Sequence, residues 1–529
     1  MPISWDKRKL FWSTILYGVL SLSSAAWAQQ SVEISKEALQ DKIRGAWAAQ
    51  TIGVTYGFPV EFKFNSVRVP DDHELPWHED YLYEMFTQNP NIYDDIYMDL
   101  SFVQVFEDEG LDASAESLAS SFANAGYALW FANQVARYNV LNGLSPPESG
   151  HWINNPAADD IDFQIEADFI GLMAPGLPST AVEVSDRVGH IMNYGDGWYG
   201  GVFIAVMYSL AFTTDDIEQI VERAISVIPE NTDFHRIIVD VIALHKQNPD
   251  DWKFAWEGIN EKWSSTDLGP IGLLAPFNID AKINAAWVVL GLLYGDGDFG
   301  KTIDIATRAG DDADCNPASA AGILGTIYGY QGIPDYWKQG LSKIEDLDFA
   351  HTTISLNKAY AMSYRHALKS IERAGGSIGK TEVSIPSQNL LVVPFEESFP
   401  FHQPKEKRCV GTDVGPQNCN PFQSKPLKVG GAYSFEFEGN GFAVIGAVAA
   451  TGEEEQIVKA QLYLDGELVE EALLPTDYIK RRFYLFWKYA LEQGDHNVEI
   501  KIVNPSDKVD VLINSLAIYE RPPKVQEGR

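Results

Sequence analysis

Arg308-Ala309-Gly310-Asp311-Asp312-Ala313-Asp314-Cys315-Asn316 lies between two strongly apolar runs, Ala285 to Leu290 before it and Ala320 to Gly325 after it. Carboxylates beside a buried helix are costly unless something cationic compensates them. An Asp-x-Asp pair at a helix mouth offers the hard oxygens that Mg²⁺, Mn²⁺ or Ca²⁺ selects. The same residues also suit an acidic helix N-terminus facing the positive end of the helix dipole. Taken alone, the stretch admits both readings.

Outward from it, Ser35 to about Gly375 has the apolar spacing of helices. Leu39, Ile43, Ala46, Trp47 and Gln50 line one face of a helix that Ser35 can cap. Gly53, Gly57 and Pro59 predict a tight turn that ends this helix and presents Glu61. Asp95 and Asp99 share a helix face at i and i+4, where like charges repel. Ala113 to Leu141 reads as one long helix. A second acid cluster runs from Asp159 to Asp168, and a helical reading aligns Asp159, Asp162 and Glu166 in one stripe. The loop Ser145 to Pro156 carries Asn154, and the glycine-rich turn at Asn193 carries Tyr194, Asp196 and Trp198. Amides and aromatic faces of this kind suit sugar rings, which makes these four the candidate substrate contacts. A helix-connecting turn with packed aromatics is the alternative.

After Gly375-Gly376-Ser377 the pattern changes to short alternating or β-branched runs, among them Ala432 to Phe437, Phe442 to Gly446, Val458 to Leu464 and Val509 to Tyr519. These predict an antiparallel β-sandwich, jelly-roll-like, starting near Thr381. At the other end, Lys7-Arg8-Lys9, the apolar run Leu10 to Ser24 and Ala26-Trp27-Ala28 have the layout of a signal peptide cut after Ala28. The expected organisation is therefore a signal segment 1–28, a helical catalytic domain 29–378, a β-sandwich 379–522 and a tail 523–529. Removing the first segment takes away three basic residues and one acid, moving the formal charge from −34 to about −36. Such a field repels nucleic acid and anionic membranes. No stretch is long and apolar enough to predict a membrane span. The expected location is periplasmic or extracellular, where a disulfide between Cys409 and Cys419, ten residues apart, is favoured. Cys315 matches no zinc spacing and reads as a packed residue or a near neighbour of the site.

The order Arg44-Gly45, Gly53, Gly57, Glu61, then Asp94-Asp95 opening a helix, then Gly310-Asp311-Asp312-Ala313-Asp314 before an Ala/Gly-rich helix, resembles the ADP-ribosylglycohydrolase family over roughly residues 35 to 370. The resemblance implies an all-α bundle around a divalent metal site, usually two Mg²⁺. It matches Asp94 and Asp95 to the acids of the family's Thr-Asp-Asp motif, and Asp312 and Asp314 to those of its Asp-x-Asp-Thr motif. Glu61 matches a glutamate that, in part of the family, acts on the substrate or its water. Tyr93 and Cys315 stand where the family has threonines, and Val54 replaces a frequent aspartate. Asn316 could supply one missing oxygen, so one ion, Ca²⁺ or Mn²⁺ included, fits as well as two Mg²⁺. Glu166 and Asp168 lie where relatives carry small residues, and become site acids particular to this chain.

The expected function is an exported, metal-dependent glycoside hydrolase acting on an oligosaccharide or other glycoside in polysaccharide breakdown. Glu61, Glu166 and Asp168 would supply acid and base, because glycosidic bonds are cleaved between two carboxyl groups. An ADP-ribosyl hydrolase, a sugar-acid lyase or dehydratase, and a non-catalytic glycan-binding protein are the alternatives. The oligomeric state is not legible.

Overall fold

The computed structural model describes residues 31–410 and 427–523. The expected signal segment, Cys419 with its expected bond to Cys409, and nearly all of the tail lie outside them. Among the described residues, sixteen α-helices run from Lys36 to Arg373, and antiparallel strands follow. None of these helices is long and apolar enough to cross a membrane.

The Lys36–Gly57 helix starts at Ser35, whose Oγ accepts the Ala38 N–H at 3.0 Å. It packs lengthwise on the Cys315–Gly332 helix. A Cβ on Gly53 would stand 2.4 Å from Pro317 O, and one on Gly57 only 1.9 Å from Ala313 O. These glycines are thus the seam of a helix pair and not the expected turn. The helix runs on through them, and a 3-10 turn, Phe58–Val60, then delivers Glu61.

The single helix expected over 113–141 is two, Ala115–Asn124 and Phe131–Leu141. Ala125 is extended, and Asn124 turns its amide back onto Ser120 O at 2.8 Å, which closes the first helix. The break frees Leu129 and Trp130 from helical geometry. The glycine-rich stretch at 195 likewise belongs to a helix, Gly195–Leu210, with Gly200 against Gln164 and Gly201 against Phe163. This helix, Ala281–Gly295 and Cys315–Gly332 are buried almost all round and form the centre of the bundle. A helix apolar on every side that is not long and apolar enough to cross a membrane belongs in a core.

Glu382–Pro386 pairs antiparallel with Ser31–Ser35 and Ser377–Ile378 in a three-stranded sheet on the helical part. Residues 387–402 then cross the bundle surface, with Val393 N–H on Val227 O at 2.8 Å and the Tyr199 hydroxyl on Pro394 O at 3.1 Å. The sandwich begins with Gln403–Cys409. One sheet has the order Tyr484–Lys488, Gly441–Ala450, Val509–Glu520, Gln403–Cys409, with Leu427–Val429 also pairing Val509–Glu520. The other has the order Ala432–Gly439, Gly494–Ile502, Ile457–Leu464, Glu467–Pro475. Phe437, Phe442, Val444, Leu462, Phe486 and Ile500 fill the space between them.

The sandwich also joins the helical core, into which it sends Tyr484, Trp487, Tyr489 and Tyr519. Trp487 Nε1 donates to Ile153 O at 2.9 Å, and Gln134 Nε2 donates to Arg481 O at 2.7 Å.

Candidate active site

The acidic turn that connects two core helices is held by its first aspartate. Gly310 and Asp311 are left-handed, at φ +88° and +55°. A Cβ on Gly310 would meet Val67 O at 2.4 Å, so the position needs glycine on both counts. Asp311 accepts the Ser66 N–H at 2.8 Å on Oδ1 and the Trp287 indole at 2.9 Å on Oδ2. With Asp311 spent on anchoring, Asp312 and Asp314 are left to face inward. Asp314 Oδ1 accepts the Cys315 N–H at 3.1 Å at the start of the helix, and Cys315 Sγ donates to Asp95 Oδ1 at 3.3 Å. Ligand atoms of Asp312, Asp314 and Cys315 lie within 4.8 Å of one another.

These residues line a cleft of about 490 Å³. Its acidic side carries Glu61, Asp94, Asp162, Asp312 and Asp314, with Cys315 beside them. Its other side is apolar and aromatic, with Phe58, Phe62, Trp130, Phe131 and Phe277. Phe62 and Phe277 have centroids 4.9 Å apart, and Phe131 continues the row 5.8 Å from Phe277. Asn133 ties the wall to the acids: its N–H donates to Asp162 Oδ2 at 2.8 Å, and its Nδ2 donates to Glu166 Oε1.

Burial drives the titration of the whole set upward. Glu61 is held well above the usual carboxylate range by burial and then by Asp314 and Asp94. Burial and neighbouring acids do the same to Asp312 and Asp314. Burial lifts Asp162 to about 7, against the pull of the Asn133 N–H. Asp312 Oδ1 and Asn316 Oδ1 are buried without a hydrogen-bond partner. Orphaned oxygens among clustered carboxylates fit a hard divalent cation, and the residues present suit Mg²⁺, Mn²⁺ or Ca²⁺.

Of the residues expected at the site, Glu61, Asp94, Asp312 and Asp314 reach the cleft. Asp95 lies behind it on the Cys315 thiol. Asn316 is fully buried, with Nδ2 on Asn284 Oδ1 at 2.9 Å. Glu166 is sealed behind Asn133. Asp168 is deeper, accepting the Tyr208 hydroxyl at 3.0 Å and the Ser319 hydroxyl at 3.3 Å. Neither Glu166 nor Asp168 lines the cleft, so the expected direct acid and base roles are corrected. They form, with Asp95 and Asp99, a buried layer whose members burial keeps above the normal range, reinforced at Asp95, Asp99 and Glu166 by the charge of neighbouring acids.

The four expected substrate contacts are not in this cleft. Trp198 is 1% exposed, donates to Ser185 O at 3.2 Å and stacks on His190, so it offers no face to a sugar. Tyr194 packs on His151 with centroids 4.6 Å apart, and Asn154 spends its amide on Glu148 O at 3.0 Å. Asp196 lines a separate cleft with Asp159 and Lys282. Asp162, Asn133 and Trp130 were the residues missed. The stripe of Asp162 with Glu166 was visible in the sequence, but helical spacing does not say which member faces a cavity.

The ADP-ribosylglycohydrolase family matches this chain over residues 35–365. A solved structure described as an ADP-ribosylglycohydrolase-related protein complex is similar at 15% identity, over 63% of this chain and 99% of that one, with a TM-score of 0.42. A 4-O-methyl-α-glucuronidase of family GH115, with specificity for decorated arabinogalactans, is similar at 12% identity, over 68% of this chain and 44% of that one, with a TM-score of 0.20. At these scores the two overlays say nothing about chemistry. No curated protein matches.

Proposed function

The chain belongs to the ADP-ribosylglycohydrolase family, whose members are hydrolases, and from that premise we propose that it is an exported, metal-dependent glycoside hydrolase acting on an oligosaccharide or other glycoside in polysaccharide breakdown. One observation carries this reading: Glu61 and Asp162 line the same cleft as the acids Asp94, Asp312 and Asp314, opposite a wall of aromatic rings. Export rests on the Lys7-Arg8-Lys9, apolar and Ala26-Trp27-Ala28 pattern.

In this reading Asp94, Asp312 and Asp314 hold the cation, with Asp95 steadied behind them by Cys315. A bound divalent ion supplies stabilisation of negative charge on oxygen and a more acidic water. Glu61 delivers a proton from its carboxyl to the glycosidic oxygen as the bond to the anomeric carbon breaks. Asp162 accepts a proton from the water whose hydroxyl joins that carbon, so that one water is added across the products. The aromatic side excludes bulk water from the reacting atoms. Two carboxyl groups acting on opposite sides of the bond are the general requirement for this chemistry.

The test is a screen of plant and algal oligosaccharides and simple glycosides by mass spectrometry, with and without EDTA. Products that sum to the substrate plus one water, lost on chelation, support the proposal. Products that sum to the substrate alone, with a new double bond, would show elimination and sink it.

A further inference from the structure

Glu61, Asp94, Asp162, Asp312 and Asp314 give the cleft five carboxyl groups, while among the described residues its lining holds no Lys, Arg or His. Bases that adjoin the lining are otherwise engaged, Arg481 by its bonds to Leu129 O at 2.9 Å and Tyr478 O at 2.6 Å. Lys63 turns its amine onto Pro59 O at 2.6 Å, and His351 Nε2 meets Asn91 Oδ1 at 3.0 Å. Recognition of phosphate or carboxylate draws on Arg and Lys, or on a helix N-terminus. Of the helices that start at this cleft, those at Asp94 and Cys315 are covered by the acids themselves, and the one at Phe131 gives its Asn133 N–H to Asp162 Oδ2. Those same acids neutralise any cation that they hold.

The opposite wall is built, not incidental. Phe62 and Phe131, both on the cleft, have left-handed backbones, at φ +47° and +39°. Bulky residues are rarely found there, and such strain persists only where the surroundings over-determine it. Phe62 N–H is pinned to Asp311 O at 3.0 Å, the anchor of the acidic turn. Phe131 is gripped between Phe277 and Phe483, at centroid distances of 5.8 and 5.4 Å. Trp130 and Phe58 stay partly exposed on the same wall.

We infer that the cleft takes an uncharged glycoside whose leaving group is a flat apolar ring, seated against Phe62, Trp130 and Phe277, and that it does not take phosphate-bearing glycosides such as ADP-ribosyl groups. This rests on the hydrolase reading above. An apolar ring gains from the wall without needing a counter-ion. A pyrophosphate would be desolvated beside five carboxyl groups with no basic partner.

The test uses the full chain with Mg²⁺ and four kinds of substrate: benzyl and methyl glycosides of the same neutral sugars, benzyl glucuronides, and an ADP-ribosylated peptide. Benzyl alcohol and methanol are leaving groups of nearly equal acidity, so a difference between them reports binding of the ring. The expected result is a kcat/KM for a neutral benzyl glycoside at least ~10-fold above its methyl counterpart, the size of a modest apolar contact. Trp130→Ala is expected to bring that ratio toward one, and the glucuronide and the ADP-ribosyl peptide to remain intact. Equal cleavage of benzyl and methyl glycosides, or cleavage of the ADP-ribosyl peptide, overturns the inference while leaving a hydrolase. No cleavage in any arm overturns the hydrolase reading and the inference with it.

Discussion

Asp311 and Asp312 are neighbours with opposite duties. Asp311 is fully satisfied by Ser66 and Trp287, whereas Asp312 keeps a buried oxygen without a partner. Asp312→Asn is therefore expected to remove cation binding and to cut turnover by about 100-fold or more, the scale of losing one charged group in a preorganised site. Parent protein should melt lower in EDTA, because a ligand at 100 times its Kd stabilises by ~2.7 kcal/mol. The variant should not respond to EDTA. Equal EDTA shifts in both proteins would move the cation elsewhere. Gly57 is a second test at this scale. A methyl there lands on the Ala313 backbone at 1.9 Å, and Asp314 Cα is 2.6 Å away. Gly57→Ala is expected to cost about 1–3 kcal/mol in urea unfolding, as overpacking does, and to displace Asp314. Motif order made Glu61, Asp94, Asp312 and Asp314 legible in the sequence. Asp168 looked the same in sequence but sits on Tyr208 and Ser319, because counting along a chain gives no depth.

Arg481 couples two elements that are far apart in the chain. Its guanidinium donates to Leu129 O at 2.9 Å and to Tyr478 O at 2.6 Å, and it stacks 3.6 Å above the Tyr478 ring. Phe483 packs on Phe131, so this sandwich loop props the cleft wall at both ends of the segment 129–131. Arg481→Met leaves Leu129 O buried and unpaired, at a cost of about 1–3 kcal/mol. It also releases the strain at Phe131. KM is expected to rise several-fold while kcat changes less, with Arg481→Lys recovering part of the loss. A variant with unchanged KM would reduce Arg481 to a fold contact. Strand periodicity revealed most of the sandwich, but nothing in it shows that the sandwich finishes a site in the helical part. The glycine seam was misread for a related reason. Gly and Pro punctuate turns in isolated sequence, and only a partner helix shows that a bare backbone face is needed.

At the scale of the whole molecule, fold class was legible because apolar period changes once, near Gly375, from helical to alternating. The crossing segment 387–402 was not, since it has no period and its partners lie about two hundred residues away. One of its fastenings titrates. Glu396 accepts His190 Nε2 at 3.1 Å on Oε1 and the Gly195 N–H at 3.1 Å on Oε2. Burial disfavours the imidazolium, but hydrogen bonds and charges from Asp186 and Glu396 outweigh it and hold His190 up at about 9. An unfolded histidine titrates near ~6.5. A raised folded value means that the folded state binds the proton more tightly, so the contribution is complete below about pH 6.5. It falls as pH climbs and is gone above about 9. The size is on the order of 3 kcal/mol for a group this enclosed, since the side chain is 11% exposed. Unfolding free energy measured in urea should therefore drop between pH 7 and 10 more steeply for the parent than for His190→Gln. The difference between the two curves isolates this contact from the buried carboxyls, which titrate in both proteins. Parallel curves over that window would mean that the segment is held by its uncharged hydrogen bonds, such as those of Gln388, Val393 and Pro394, and by apolar packing, with no charge in the fastening.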